Sequence, residues 1–163
     1  MRTPLVFFNG DKTVNKSEIE SILPHTGRML LLDGIDITKE RVLGSFRVTY
    51  KVCEGHRVLD GKEVLKGSDL FDMASQLLAV GWAVGHPNEG ETCMPRRYRE
   101  AKLKKPIMPG EILSLEIKIK NITAESIDRK EGGRTIFLTG EKFLAKVGKE
   151  TKAEIMGVHL VIL

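Results

Sequence analysis

Cysteine is scarce in this chain. Cys53 and Cys93 are the only two in 163 residues, and they share no close-spaced metal motif, which argues against a thiolate metal site and for a reducing, cytoplasmic setting. Long apolar runs are lacking too. The stretch from Leu77 to Val84 is interrupted by Gly81 and ends at Gly85-His86-Pro87, too short to cross a bilayer. The opening Met1-Arg2-Thr3-Pro4-Leu5-Val6-Phe7-Phe8 gives way to Asn9-Gly10-Asp11 before it reaches signal-peptide form. Neither charge sign dominates: 26 Lys+Arg against 22 Asp+Glu leave a net +4 spread along the sequence, so an acidic partner is weakly favoured and nucleic acid less so. Internal repeats and low-complexity tracts are absent.

What is present is core material. With 41% hydrophobic and 29% charged residues, the chain suits one domain over 1–163, with 1–16 as an N-terminal extension. Ser17-Glu18-Ile19-Glu20 has the spacing of a capping box opening a short helix that Pro24 stops. From Val42, the apolar positions Phe46, Val48, Tyr50 and Val52 alternate with polar ones, the period of a half-buried strand running up to Gly55-His56. Over 68–84, Leu70, Phe71, Met73, Ala74, Leu77, Leu78, Val80, Trp82 and Val84 leave almost no polar face, which predicts a central buried helix. Beyond Pro87-Asn88-Glu89-Gly90 the pattern is sheet. Leu113, Leu115, Ile117 and Ile119 alternate with polar residues, Glu131-Gly132-Gly133-Arg134 marks a turn, and 135–147 joins 151–163 through Gly148-Lys149-Glu150. One long helix with several antiparallel strands makes an α+β domain in which a sheet wraps the helix.

The chemistry-bearing residues cluster at two places. Gly55-His56 offers a base, and Gly67-Ser68-Asp69-Leu70-Phe71-Asp72-Met73-Ala74-Ser75-Gln76 offers an acid, Asp72, within an apolar helix. A base paired with an acid points to proton transfer, hence to an enzyme.

These segments resemble the hot-dog-fold 3-hydroxyacyl-[acyl-carrier-protein] dehydratases of the FabZ type. Leu23-Pro24-His25 and the run through Leu30-Leu31-Leu32-Asp33 look like the family's Leu-Pro-His segment, and Gly55-His56 like its active-site Gly-His. Gly67, Asp72 and Gln76 keep the spacing of its helix-start glycine, catalytic acid and helix glutamine. Lys105-Pro106-Ile107-Met108-Pro109-Gly110-Glu111 is similar to its Pro-rich turn, and Ala153-Glu154-Ile155-Met156 to its last strand. Four features depart from the pattern. Arg57-Val58 replaces Phe-Pro, Lys66 replaces Pro, the acid is Asp as in the FabA-type relatives, and the loop from His56 to Gly67 is two residues longer through Asp60-Gly61.

The resemblance implies conversion of (3R)-3-hydroxyacyl thioesters to trans-2-enoyl thioesters, on acyl carrier protein or coenzyme A, without metal or organic cofactor. It also implies at least a homodimer, in which the histidine of one subunit meets the acid of the other. That chemistry takes a proton from C2 and expels hydroxide from C3. His56 suits the base, and a carboxyl in an apolar pocket, Asp72, suits the acid, with Gln76 one turn on to orient it. The thioester oxygen gathers charge that a helix-start N–H at Gly67 can stabilise, and the missing Cβ there lets substrate approach.

Each residue also has a plainer role: His56 as a loop histidine, Asp72 as a structural acid paired with Lys66 or an arginine, Gly67 as a permissive position before a Ser68 cap, His25 as scaffold, and His86 and His159 as surface or core histidines. A Cys53 nucleophile lacks an orienting acid, and His56, Asp72 and Cys53 match no metal spacing. Trp82 reads as core. Arg96-Arg97-Tyr98-Arg99 and Lys102-Leu103-Lys104-Lys105 fit either a solvated strand face or a surface receiving an acidic carrier protein or a phosphate. Two other functions fit the same fold: an acyl thioesterase, and a non-catalytic acyl-carrier or acyl-chain binding subunit.

Overall fold

Burial alternates along β9 (Arg134–Val147) up to Gly140 and again from Phe143, with the exposed pair Glu141 and Lys142 shifting the phase between them, and it alternates through most of β10 (Glu150–Ile162), so this long hairpin commits a buried face to the core. In the computed structural model, which describes residues 2–23, 30–58, 60–87 and 93–163, that hairpin organises the sheet. Its two strands pair antiparallel from Glu150 opposite Val147 to Ile162 opposite Ile136.

Strand β9 is shared by two neighbours along its other edge. Its first half pairs β8 (Ile122–Asp128), and β8 pairs β1 (Thr3–Leu5). Its second half pairs β7 (Ile112–Lys118), and the sheet continues through β4 (Arg41–Arg47) and β3 (Gly34–Ile37) to β2 (Lys12–Asn15). On the far side of β10 lie β5 (Cys93–Arg97) and β6 (Glu100–Leu103). All these pairings are antiparallel, and the sheet curls around helix α3 (Gly67–Gly85), two residues longer than the sequence predicts.

The helix buries Leu70, Met73, Ala74, Leu77, Leu78 and Trp82 against Leu115, Ile117, Phe143 and Ile155 of the sheet, with Trp82 in the core as expected. The N-terminal segment completes this core. Phe7 is 4% exposed, and its ring lies so close to α3 that a Cβ on Gly81 would stand 2.7 Å from Phe7 Cζ. Glycine is required there to let the segment seat.

Local chemistry moves three boundaries from where the sequence places them. Helix α1 (Lys16–Ile22) is capped by Asn15, not Ser17: Asn15 Oδ1 accepts from Glu18 N–H at 2.9 Å, and Glu18 Oε1 accepts from Asn15 N–H at 3.4 Å. Asn15 is the last residue of β2 paired with β3, so the chain leaves the sheet where Asn15 and Glu18 already have capping-box spacing. The strand expected over 42–52 ends at Arg47. Val48 then bonds Glu111 and Gly110 through its backbone, and Thr49 caps a single helical turn, α2 (Tyr50–Cys53), by accepting from Val52 N–H. Lastly, Ile119 leaves β7 and opens a 3-10 turn, Ile119–Asn121. Pro24 as a helix stop, His25, and the turn at Asn88-Glu89-Gly90 lie outside the described residues.

Candidate active site

His56 follows one helical turn, not a strand, and its backbone is fastened on both sides. Its N–H donates to Cys53 O at 3.1 Å, and its carbonyl accepts from Val64 N–H at 2.9 Å. The extra loop length forms a small hairpin beyond it. Arg57 bridges Glu63, Val58 N–H donates to Lys62 O at 3.1 Å, and Gly61 turns the chain with φ +82°, as the Asp60-Gly61 signal predicts. Glu63 Oε1 lies 3.5 Å from Gly55 N and 3.7 Å from Arg57 Nε. The imidazole itself is half-buried.

The start of α3 is set by the Pro-rich turn. Leu65 N–H donates to Ile107 O at 2.9 Å, while Glu111 Oε1 accepts from Met108 N–H at 2.6 Å and Gly110 N–H donates to Val48 O at 2.8 Å. This turn therefore ties the approach to α3 to the segment leading into α2, the two pieces of chain that present the helix start and His56. Lys66, not Ser68, is the N-cap residue, and it makes no side-chain capping bond. A Cβ on Gly67 would meet nothing within 4 Å, so the helix start faces open space, as close approach of a ligand needs.

The two acids of the helix trade the places that the apolar sequence suggests. Asp72, expected in an apolar pocket, is exposed, because its side chain points away from the face formed by Leu70, Met73 and Leu77. Asp69, three residues earlier, is the half-buried one, and its Oδ2 is enclosed with no hydrogen-bond partner. Burial is the largest influence pushing the Asp69 carboxyl above the ordinary range. The Lys66 charge opposes it, Asp72 adds to it, and the Lys66 backbone N–H and His56 oppose it. The charge of Lys66 thus acts on Asp69. Sequence reasoning passed over Asp69, although its spacing of three from Asp72 was the available signal.

Gln76 is buried, and its Oε1 accepts from Leu31 N–H at 2.9 Å. It fastens the segment that begins at Leu30 to the helix. Asp33 has a comparable role, accepting from Arg47 N–H at 2.7 Å. Cys53 is fully buried, and its thiol is pushed up to about 11 by burial first, then by Asp69 and Glu63. At neutral pH it is a thiol and a poor nucleophile. Among the described residues no group of three His, Cys, Asp or Glu side chains is placed to hold a metal ion. His86 closes α3 with its ring stacked on Trp82 at 3.5 Å, and His159 Nδ1 lies 3.2 Å from Thr139 Oγ1. Of the basic run, Lys104 pairs with Glu154 and Lys105 with Glu150, and Tyr98 packs on Phe71 beside Asp72, ring centroids 4.6 Å apart.

No family model matches the chain. Among curated proteins, the 3-hydroxyacyl-[acyl-carrier-protein] dehydratase FabZ of Enterococcus faecalis is 32% identical over 114 residues, covering 68% of this chain and 79% of that protein. The FabZ of Clostridium acetobutylicum is 28% identical over 109 residues, 64% and 76% of the respective chains. Two solved structures share the fold. The dehydratase heterocomplex ApeI:P from Xenorhabdus doucetiae superposes with TM-score 0.57 at 16% identity, over 88% of this chain and 89% of its own. The uncharacterized protein PH1136 from Pyrococcus horikoshii superposes with TM-score 0.50 at 19% identity, over 85% and 87%. No helix among the described residues is long and apolar enough to cross a membrane. With sequence identity, motif order and a curled sheet around one long helix in agreement, the chain belongs to the FabZ-type 3-hydroxyacyl-[acyl-carrier-protein] dehydratases of the hot-dog fold.

Proposed function

We propose that this protein dehydrates (3R)-3-hydroxyacyl thioesters, carried on acyl carrier protein or coenzyme A, to trans-2-enoyl thioesters and water, with the site shared between two copies of the chain. The observation that carries this reading is the disposition of His56 and Asp72. His56 is held half-buried by backbone bonds on both sides, whereas Asp72 faces outward from its own chain. An acid directed outward serves a site that a second copy completes.

The proton accounting is direct. An imidazole nitrogen of His56 takes the C2 proton, the C2–C3 double bond forms as the C3–O bond breaks, and the Asp72 carboxyl of the other copy protonates the departing hydroxide to water. The proton then returns from His56 to Asp72 through solvent. Charge gathering on the thioester oxygen meets the Gly67 N–H at the start of α3, one of the donors that a helix leaves unpaired.

Pairing of two copies is supported by β6. Its residues are exposed on both faces, Leu103 is 46% exposed, and among the described residues the strand pairs only with β10. A strand bare on both faces and along one edge is a template for association.

The test uses crotonyl and 3-hydroxybutyryl thioesters and follows hydration, dehydration and free thiol. Reversible hydration without thiol release supports the reading. Thiol release identifies a thioesterase, and inertness with bound acyl carrier identifies a binding subunit; either overturns it. The shared site is tested by mixing inactive His56→Ala and Asp72→Asn chains under subunit exchange. About half of the resulting dimers should be mixed, each with one intact site of two. Continued inactivity after proven exchange removes the shared site.

A further inference from the structure

We propose that the outer face of the sheet carries a second binding site, for a phosphate monoester on a small organic body, apart from His56 and α3. A cavity of about 340 Å³ opens there, lined by Arg2, Arg97, Phe137, Thr139 and His159. That volume lies within the range of about 300–1,000 Å³ that small-molecule pockets occupy. Strand register builds it. Thr139 stands opposite His159 across β9 and β10, and His159 stands opposite Arg97 across β10 and β5, so the three side chains form one row on one face. Thr139 Oγ1 and His159 Nδ1 are 3.2 Å apart. From the other side Arg2, just ahead of β1, holds its guanidinium 4.5 Å from the Phe137 ring centre and pairs with Glu125 Oε2 at 3.2 Å. The next residues along the two long strands, Leu138 and Leu160, are buried in the core around α3, so the sheet itself separates this cavity from the helix.

The charges select the ligand. Glu125 offsets Arg2, whereas no ion pair among the described residues engages Arg97. The cavity therefore keeps one uncompensated guanidinium, whose planar fork suits two oxygens of an oxyanion. Thr139 and His159 add polar atoms along the same row, and Arg2 brings further N–H groups from the opposite side. Groups that converge from several directions suit a tetrahedral phosphate better than a planar carboxylate, which a single fork satisfies. Phe137 offers apolar surface to the organic body. Arg97, within the basic run Arg96-Arg97-Tyr98-Arg99, thereby gains a ligand in place of bare solvent.

The test needs no turnover. Phenyl phosphate, benzoate and inorganic phosphate are titrated into the intact protein, with binding followed by calorimetry and by amide NMR shifts. Phenyl phosphate should bind with shifts centred on Arg97, Thr139 and His159, and inorganic phosphate should bind more weakly. Arg97→Gln, at an exposed position, should weaken phenyl phosphate about tenfold, the loss of one charge-assisted contact. Thr139→Val keeps the side-chain shape and should weaken it about threefold, the loss of one neutral hydrogen bond. Lys149→Gln removes the same charge in the turn between β9 and β10, at the far end of the hairpin, and should change nothing. Competition by coenzyme A but not by dephospho-coenzyme A would assign the phosphate to a thioester carrier; competition by neither would assign it to a separate small molecule. Unchanged affinity in folded Arg97→Gln or Thr139→Val overturns the site. So does an equal loss in Lys149→Gln, benzoate binding as tight as that of phenyl phosphate, or the absence of saturable binding.

Discussion

Phe7 and Gly81 form the contact that seats the N-terminal segment on the helix carrying both acids, and a double-mutant cycle measures it. Alanine at Gly81 places a methyl 2.7 Å from Phe7 Cζ and 3.1 Å from Cε1, so the ring must retreat by about 1 Å to regain van der Waals distance. Little room is available, because the Phe7 carbonyl oxygen lies 3.3 Å from where a Gly85 Cβ would be. Overpacking of this kind costs roughly 2 kcal/mol, against about 1 kcal/mol gained when alanine replaces glycine inside a helix. Gly81→Ala alone should therefore destabilise by about 1 kcal/mol. Phe7→Ala removes a ring that is 4% exposed and should cost about 3 kcal/mol, the low end for such truncations because the segment has no regular structure to hold a void open. In that background the Gly81→Ala methyl meets no ring, keeps its helical advantage and fills part of the void. It should then stabilise by about 1 kcal/mol, so the coupling energy is about 2 kcal/mol. Urea unfolding of the four proteins measures the cycle. Thermal midpoints should follow at roughly 2–4 °C per kcal/mol. Additivity within about 0.5 kcal/mol would refute the contact as the reason for glycine.

Two further outcomes follow from the charged and thiol groups. Cys53, with its thiol pushed up to about 11 by burial, should resist alkylation at pH 8 in the folded protein and react fully in denaturant, as read by peptide mass spectrometry; equal rates in both states would contradict its burial. The linked stability is complete below the ordinary thiol range and declines as pH rises from 9.0 towards about 11. Glu116 is held below the ordinary carboxylate range first by its hydrogen bond from Lys146 at 2.7 Å, with Arg41 at 3.1 Å adding to it. Its contribution is therefore present above the ordinary range and lost as pH falls through its lowered value. Glu116→Gln should cost about 1 kcal/mol at neutral pH, and denaturation curves of the two proteins should converge in acid.

Period and turn chemistry made the framework legible. The hairpin of 135–147 with 151–163, strand β7, the turn at Glu131-Gly132-Gly133 and helix α3 all carry recognisable patterns, although the hairpin changes phase at Glu141 and Lys142. Where the sequence misled, a side chain competed with the pattern. Thr49 ended an alternating run by capping a helical turn, and Asn15 captured the α1 cap because the sheet releases the chain there. The acids show the same limit. Leu70, Phe71 and Met73 surround Asp72 in sequence, yet a helix turns successive residues about 100° apart, so apolar neighbours along the chain do not bury an acid between them. The exposed strand β6 carried no usable period, because neither of its faces is committed within one chain.

The pair of backbone bonds that clamps His56 also separates two jobs within one stretch of chain. With its carbonyl tied to Val64 and its N–H to Cys53, the histidine is insulated from whatever happens at the Asp60-Gly61 tip beyond. The hairpin behaves as a handle closed at its base, whose tip can be lengthened, shortened or recharged while the ring stays on its mount. Diversity can accumulate there without passing through inactive intermediates, which makes the tip the natural place to graft new sequence onto this scaffold.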